Sequence, residues 1–141
     1  MKTLFLFSSL FILINCTSQA PKDYEAELIK LKSNNQKMLD KGVNMMQVEQ
    51  QFMLDTDSIV KHLYSSILSD KNRNIKKLRE EQEAYIIEKQ QLNDSLIDKI
   101  NQKFSEFGLA SNDEKMIFYG EIAALNYRRA LALSKLLQPC N

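Results

Sequence analysis

Residues 74–108, NIKKLREEQEAYIIEKQQLNDSLIDKINQKFSEFG, decide the fold. Within them Ile75, Leu78, Gln82, Tyr85, Leu92, Leu96, Ile100 and Phe104 advance by three, four or seven residues, with Ile86 and Phe107 beside the same seam. Residues three and four apart share one face of an α-helix, so this spacing predicts a helix with one side turned to a core. Lys, Glu, Gln and Leu are good helix formers, and neither glycine nor proline interrupts the run before Gly108. Some thirty residues at ~1.5 Å each make a rod of roughly 45 Å. Gly108 ends it, because glycine reaches the left-handed conformation required just past a helix.

The segments on either side read the same way. Downstream, Ser111-Asn112-Asp113-Glu114 fits a capping box, in which the serine caps forward and the glutamate reaches back. A helix then runs from Asn112 to about Leu137, with Ile117, Phe118, Ile122, Leu125, Ala130, Leu133, Leu136 and Leu137 as its buried face and Pro139 as its stop. Upstream, Ser69 to Asn72 is a turn, preceded by a helix from about Val43 to Leu68. Its stripe is Met45, Val48, Phe52, Ile59, Leu63, Tyr64 and Ile67. A sparser helix covers Tyr24 to near Lys41, with Leu28, Leu31 and Leu39 apolar, and ends at Gly42. Met45, Met46, Met53 and Met116 read as core filler. Three glycines and two prolines in 141 residues are too few turn formers for a sheet protein. The expected class is all-α, a small antiparallel bundle of three to four helices with one long helix, occupying residues 23–138.

The N-terminus carries a different message. MKTLFLFSSLFILINC places one positive charge before an apolar run, Leu4 to Ile14, that is too short for a permanent membrane span. Leu13-Ile14-Asn15-Cys16 resembles a bacterial lipobox, with Asn15 where Gly, Ala or Ser usually stands. Residues 1–15 are then a lipoprotein signal peptide, Cys16 carries the acyl (palmitate) chains, and 16–22 is a tether containing Pro21. Two or three acyl chains at about 0.8 kcal/mol per buried methylene hold a protein on a membrane. The alternative is a plain signal peptide or an uncleaved anchor with an accidental cysteine. Thr17, not Asp, follows Cys16, which favours the outer membrane, with the protein facing the periplasm.

Lys and Arg number 19 and Asp and Glu 18, so removing the leader with its one charge, Lys2, leaves eighteen of each. A neutral chain with no basic stripe argues against a nucleic-acid partner. With Cys16 acylated, Cys140 has no partner in its own chain. It is either an unpaired tail thiol or one half of an intermolecular disulfide in a homodimer.

No catalytic set emerges. The single histidine, His62, has no second histidine or thiol near it in sequence, too few ligands for a metal. Glu80, Glu81, Glu83 and Glu88 alternate with Lys76, Lys77, Arg79 and Lys89, the pattern of a solvated, salt-bridged helix face. Phosphate loops, nucleophile elbows and zinc-helix motifs are lacking, so neither an enzyme nor a cofactor is expected.

Two short stretches carry a family likeness. Asp57, Val60, Leu63 and Tyr64 on one helix, and Leu78, Gln82, Ala84, Tyr85, Ile86 and Lys89 on the next, resemble the LprI-type family of bacterial envelope proteins, named after a lipoprotein inhibitor of lysozyme. The family pattern reads A-D-x-x-L-N-x-V-Y and then L-x-x-x-Q-x-A-W-I-x-x-R-D, and Met45 matches the methionine that opens its first helix. The departures are Lys61 for Asn, Tyr85 for Trp, Lys89-Gln90 for Arg-Asp, and the absence of the family's paired cysteines. The match covers about a third of the chain. What the resemblance implies is lysozyme inhibition by a membrane-anchored protein sitting on the enzyme's cleft. Neutral net charge gives no steering toward a basic lysozyme, and only the acidic run from Glu80 to Glu88 serves locally.

Physically, Gln82 and Tyr85 share a face of the long helix. Tyr64 from the preceding helix is expected to pack on them with its hydroxyl at the Gln82 amide, a layer that fixes the hairpin's register. Asp57, Tyr64, Gln82, Tyr85 and Lys89 are therefore the candidate structural or binding layer. The alternative function is a coiled-coil-like envelope spacer or assembly factor that dimerises through an exposed seam.

Overall fold

The computed structural model describes residues 23–70, 75–108 and 111–137. The leader, Cys16, the tether and Cys140 lie outside them. Four helices follow one another: α1 (Tyr24–Leu39), α2 (Met45–Leu68), α3 (Ile75–Phe107) and α4 (Asn112–Leu137). All-helical architecture with one long helix is what the spacing predicts.

The helix ends follow local chemistry. Asp23 caps α1 by accepting from the Ala26 N–H at 3.0 Å. Gly42 takes φ +66° and Asn44 φ +54°, so two residues able to adopt left-handed geometry make the α1–α2 turn, and α2 starts two residues later than the apolar pattern predicts. Gly108 ends α3 at φ +77°, its N–H bonded to the Phe104 carbonyl at 2.7 Å. The capping box closes in both directions. Ser111 N–H donates to Glu114 Oε2 at 2.8 Å, and Glu114 N–H to Ser111 Oγ at 3.2 Å.

Packing is most extensive between α2 and α4. Small side chains on α4 (Gly120, Ala123, Ala130, Ser134) and the buried Thr56 on α2 allow close approach. The Thr56 hydroxyl is satisfied within its own helix, donating to the Phe52 carbonyl at 2.8 Å. Glu49 faces Gly120 and Phe52 stacks near Tyr127, so α2 and α4 run parallel. Tyr24 meets His62, which sets α1 antiparallel to α2. α1 packs on both members of this pair, and α3 packs chiefly on α4. Leu28, Val60, Leu63, Ile67, Leu78, Leu125 and Leu133 form the core where the four helices meet, at the end where α1 begins and α4 finishes. Each such aliphatic side chain contributes about 1.5–3 kcal/mol on burial.

Several expected core residues are not buried. Phe104 is 58% and Phe107 68% exposed, and Ile86, Ile117 and Leu136 are exposed as well. For the phenylalanines the cause is helix length. With Glu49 level with Gly120, α2 starts level with Met116, so the last turns of α3 and the first turn of α4 continue where α2 no longer covers them. The four expected core methionines, Met45, Met46, Met53 and Met116, are half-buried.

Candidate functional site between α2 and α3

Because α3 leans on α4, its α2-facing side stays open. An open groove of 910 Å³ lies there, walled by Asp57, Val60 and Tyr64 of α2 and by Gln82, Tyr85 and Lys89 of α3, among others. Helical spacing explains the set: 57, 60 and 64 advance by three and four along α2, and 82, 85 and 89 do so along α3. All five sequence-derived candidates therefore converge on one groove.

Asp57 and Lys89 tie the two walls together. Lys89 donates a short hydrogen bond to Asp57 Oδ1, while Lys61 reaches Asp57 Oδ2 at 2.7 Å from one turn further along α2. Partial burial by itself raises the Asp57 pKa, but hydrogen bonds and charge from the two lysines outweigh it and hold the carboxyl below the usual aspartate value. The reciprocal effect raises Lys61. Lys89 also lies 5.8 Å from the Tyr85 ring centroid, within cation–π range.

The floor belongs to α4. Tyr85 donates to Asn126 Oδ1 at 2.7 Å, and Asn126 Nδ2 donates to the Met53 carbonyl at 3.2 Å, so one buried amide links α3, α4 and α2. Burial first, then the charge of Asp57, push the Tyr85 pKa up to about 12, with Arg129 acting in the opposite direction. One turn on, Arg129 Nε donates to Gln82 Oε1 at 3.0 Å and Arg129 Nη1 lies 3.4 Å from Glu81 Oε2. Gln82 thus meets Arg129, not Tyr64. The reason is placement: α3 sits against α4, so the polar side chains of its inner face find acceptors and donors there. Tyr64 is half-buried at the groove wall and packs against the core.

Asn126 and Arg129 were not singled out by the sequence reading. They were detectable in principle, since Ile122, Asn126, Arg129 and Leu133 advance by four, three and four, which puts two polar residues in an apolar seam. Asn126 is fully buried and Arg129 is 9% exposed. Buried polar groups of this kind must be hydrogen-bonded, and they specify which helices pair.

Chemically, the groove offers a carboxylate committed to two ammonium groups and a phenol held neutral at ordinary pH. Both hold helices together. What remains for contact is apolar surface edged by both charges and by amides: Ile86 and Ile87, both more than half exposed, with Arg79, Glu83, Gln90 and Asn93 around them. Outside the groove, His62 is exposed and accepts or donates at 2.9 Å to the Tyr24 hydroxyl. No family model matches the chain, and neither does any curated protein or solved structure.

Proposed function

We propose that this chain is a lipid-anchored protein of the bacterial envelope that binds another protein through the α2/α3 face. The anchoring half of the reading is supported by the lipobox-like Leu13-Ile14-Asn15-Cys16. The binding half rests on one observation, the groove with its uncovered Ile86 and Ile87. Two neighbouring isoleucines left uncovered at the wall of an open groove are apolar surface that a partner would bury.

The LprI-type reading makes lysozyme the first partner to test, since most of the residues behind that resemblance, Asp57, Tyr64, Gln82, Tyr85 and Lys89 among them, line the groove. The acidic run it would turn toward a basic enzyme is largely ion-paired already. Glu80 lies 3.9 Å from Lys76, Glu81 is 3.8 Å from Lys77, and Glu88 is 3.5 Å from Arg128. Such exposed pairs are weak, at ~0.2–1 kcal/mol each, but they neutralise the local field that would steer association. The length of α3, 33 residues, favours the second reading, a spacer or assembly factor. The deciding assay uses protein from Thr17 onward with Cys140→Ser. Loss of c-type lysozyme activity at stoichiometric protein supports inhibition, and full activity with no binding at high micromolar protein rejects it.

A further inference from the structure

Glu83, Ile86, Gln90 and Asn93 line the α3 wall of the groove. They are spaced three, four and three residues apart, and the alternation continues through Ile97, Ile100, Phe104 and Phe107. This is a heptad seam beside the Leu78, Tyr85 and Leu96 stripe that α3 buries; the two meet at half-buried Ile100, which also lies in the cleft with Leu96, Ile117 and Phe118. From Ile86 to Phe107 it is about 32 Å long. Ile86, Ile97, Phe104 and Phe107 on it are 41–68% exposed.

We infer that this seam docks a second copy of the same chain, α3 against α3, parallel and in register. The inference rests on the binding reading of the α2/α3 face and names the partner. A lipid surface does not suit the seam, because Glu83 and Asp94 stand along it as well as Arg79 and Lys89, whereas interfacial helices carry a Lys/Arg-rich polar face.

Self-pairing does fit. From Ile86 onward, in-register pairing sets Gln90 against Gln90 and Asn93 against Asn93, so each amide finds its counterpart, while exposed Glu83 at the start of the seam stays in solvent; any shifted register buries an amide against Ile or Phe. Lys89 and Asp94 are five residues apart, the spacing at which parallel in-register helices bring opposite charges together across the seam. The Lys89 ammonium has three donors, enough to keep Asp57 and reach Asp94 of the second copy. Parallel pairing also leaves Asp23 of both copies at the same end, as two copies anchored in one membrane require.

The test uses the full-length chain in bacterial membranes, with Cys140→Ser as parent and single cysteines introduced by Ile97→Cys, Phe104→Cys and, on the opposite side of α3, Ser95→Cys. Membranes are oxidised with copper phenanthroline and resolved without reductant. Facing positions of a parallel pair come within the ~4.4–6.8 Å Cα separation of a disulfide, so Ile97→Cys and Phe104→Cys are expected to give homodimer at least about tenfold above Ser95→Cys and the parent. Homodimer no greater than from Ser95→Cys overturns the inference. If the same two positions instead form a mixed adduct with another protein, the second copy is excluded and the α2/α3 face stands as a docking surface. No adduct at either position rejects both.

Discussion

Removing the Tyr85 hydroxyl tests whether the Tyr85–Asn126 bond holds α3 on the bundle. Tyr85 is 8% exposed and Asn126 fully buried, so Tyr85→Phe strips Asn126 Oδ1 of its donor where water has no easy access. A typical hydrogen bond contributes about 1 kcal/mol net, and an acceptor left unsatisfied in a buried site adds its desolvation penalty, so the expected loss is about 1–3 kcal/mol. Asn126→Ala removes more. It orphans the Tyr85 hydroxyl, removes one donor from the Met53 carbonyl, which keeps its bond from Thr56 Oγ1, and opens a small void, for a loss of about 2–4 kcal/mol. In the double variant the orphaned hydroxyl is gone as well, so the two losses should fall short of adding by about 1–2 kcal/mol. Urea titration followed by far-ultraviolet circular dichroism measures all four corners of the cycle, and unchanged slopes license the comparison. A coupling below about 0.3 kcal/mol, within the usual scatter of independent sites, would refute the bond as the link between α3 and α4.

Other expectations are simpler. Tyr85, held protonated up to about 12 in the folded chain, contributes stability that is present below the ordinary tyrosine value near 10 and is lost as pH rises through 12, so one of the five tyrosines should titrate late at 295 nm. Asp57 has the opposite sign: its pairing stabilises above the ordinary aspartate value near 3.9 and is lost as pH falls through the lowered folded value, and Asp57→Asn should flatten the acid limb of a Tm-against-pH curve. Glycine replacements should split. Gly120→Ala puts a Cβ at an ordinary 3.7 Å from Glu49 inside a helix and should gain about 0.5–1 kcal/mol, whereas Gly108→Ala forces alanine to φ +77° and should lose about 1 kcal/mol, both read by thermal unfolding. Ser111→Ala removes the α4 cap and should cost about 1 kcal/mol in the same assay.

The four helices, their order and most of their ends were legible because each is fixed locally. The period of Leu78, Tyr85 and Leu96 gives α3, the Ser111–Glu114 pair starts α4, and glycine at 42 and 108 supplies backbone geometry that other residues resist. The candidate residues of the groove were legible for a related reason, since residues three or four apart share a helix face whatever that face touches. Which helix they would touch is a property of three-dimensional packing. Small side chains draw α2 and α4 together, α3 is left leaning on α4, and so Tyr85 and Gln82 meet Asn126 and Arg129 where a simple hairpin would have offered Tyr64. The same packing leaves Phe104 and Phe107 uncovered, because α2 stops short of the last turns of α3. Periodicity along one helix records which side is apolar; only the relative lengths and spacing of its neighbours decide how much of that side is buried.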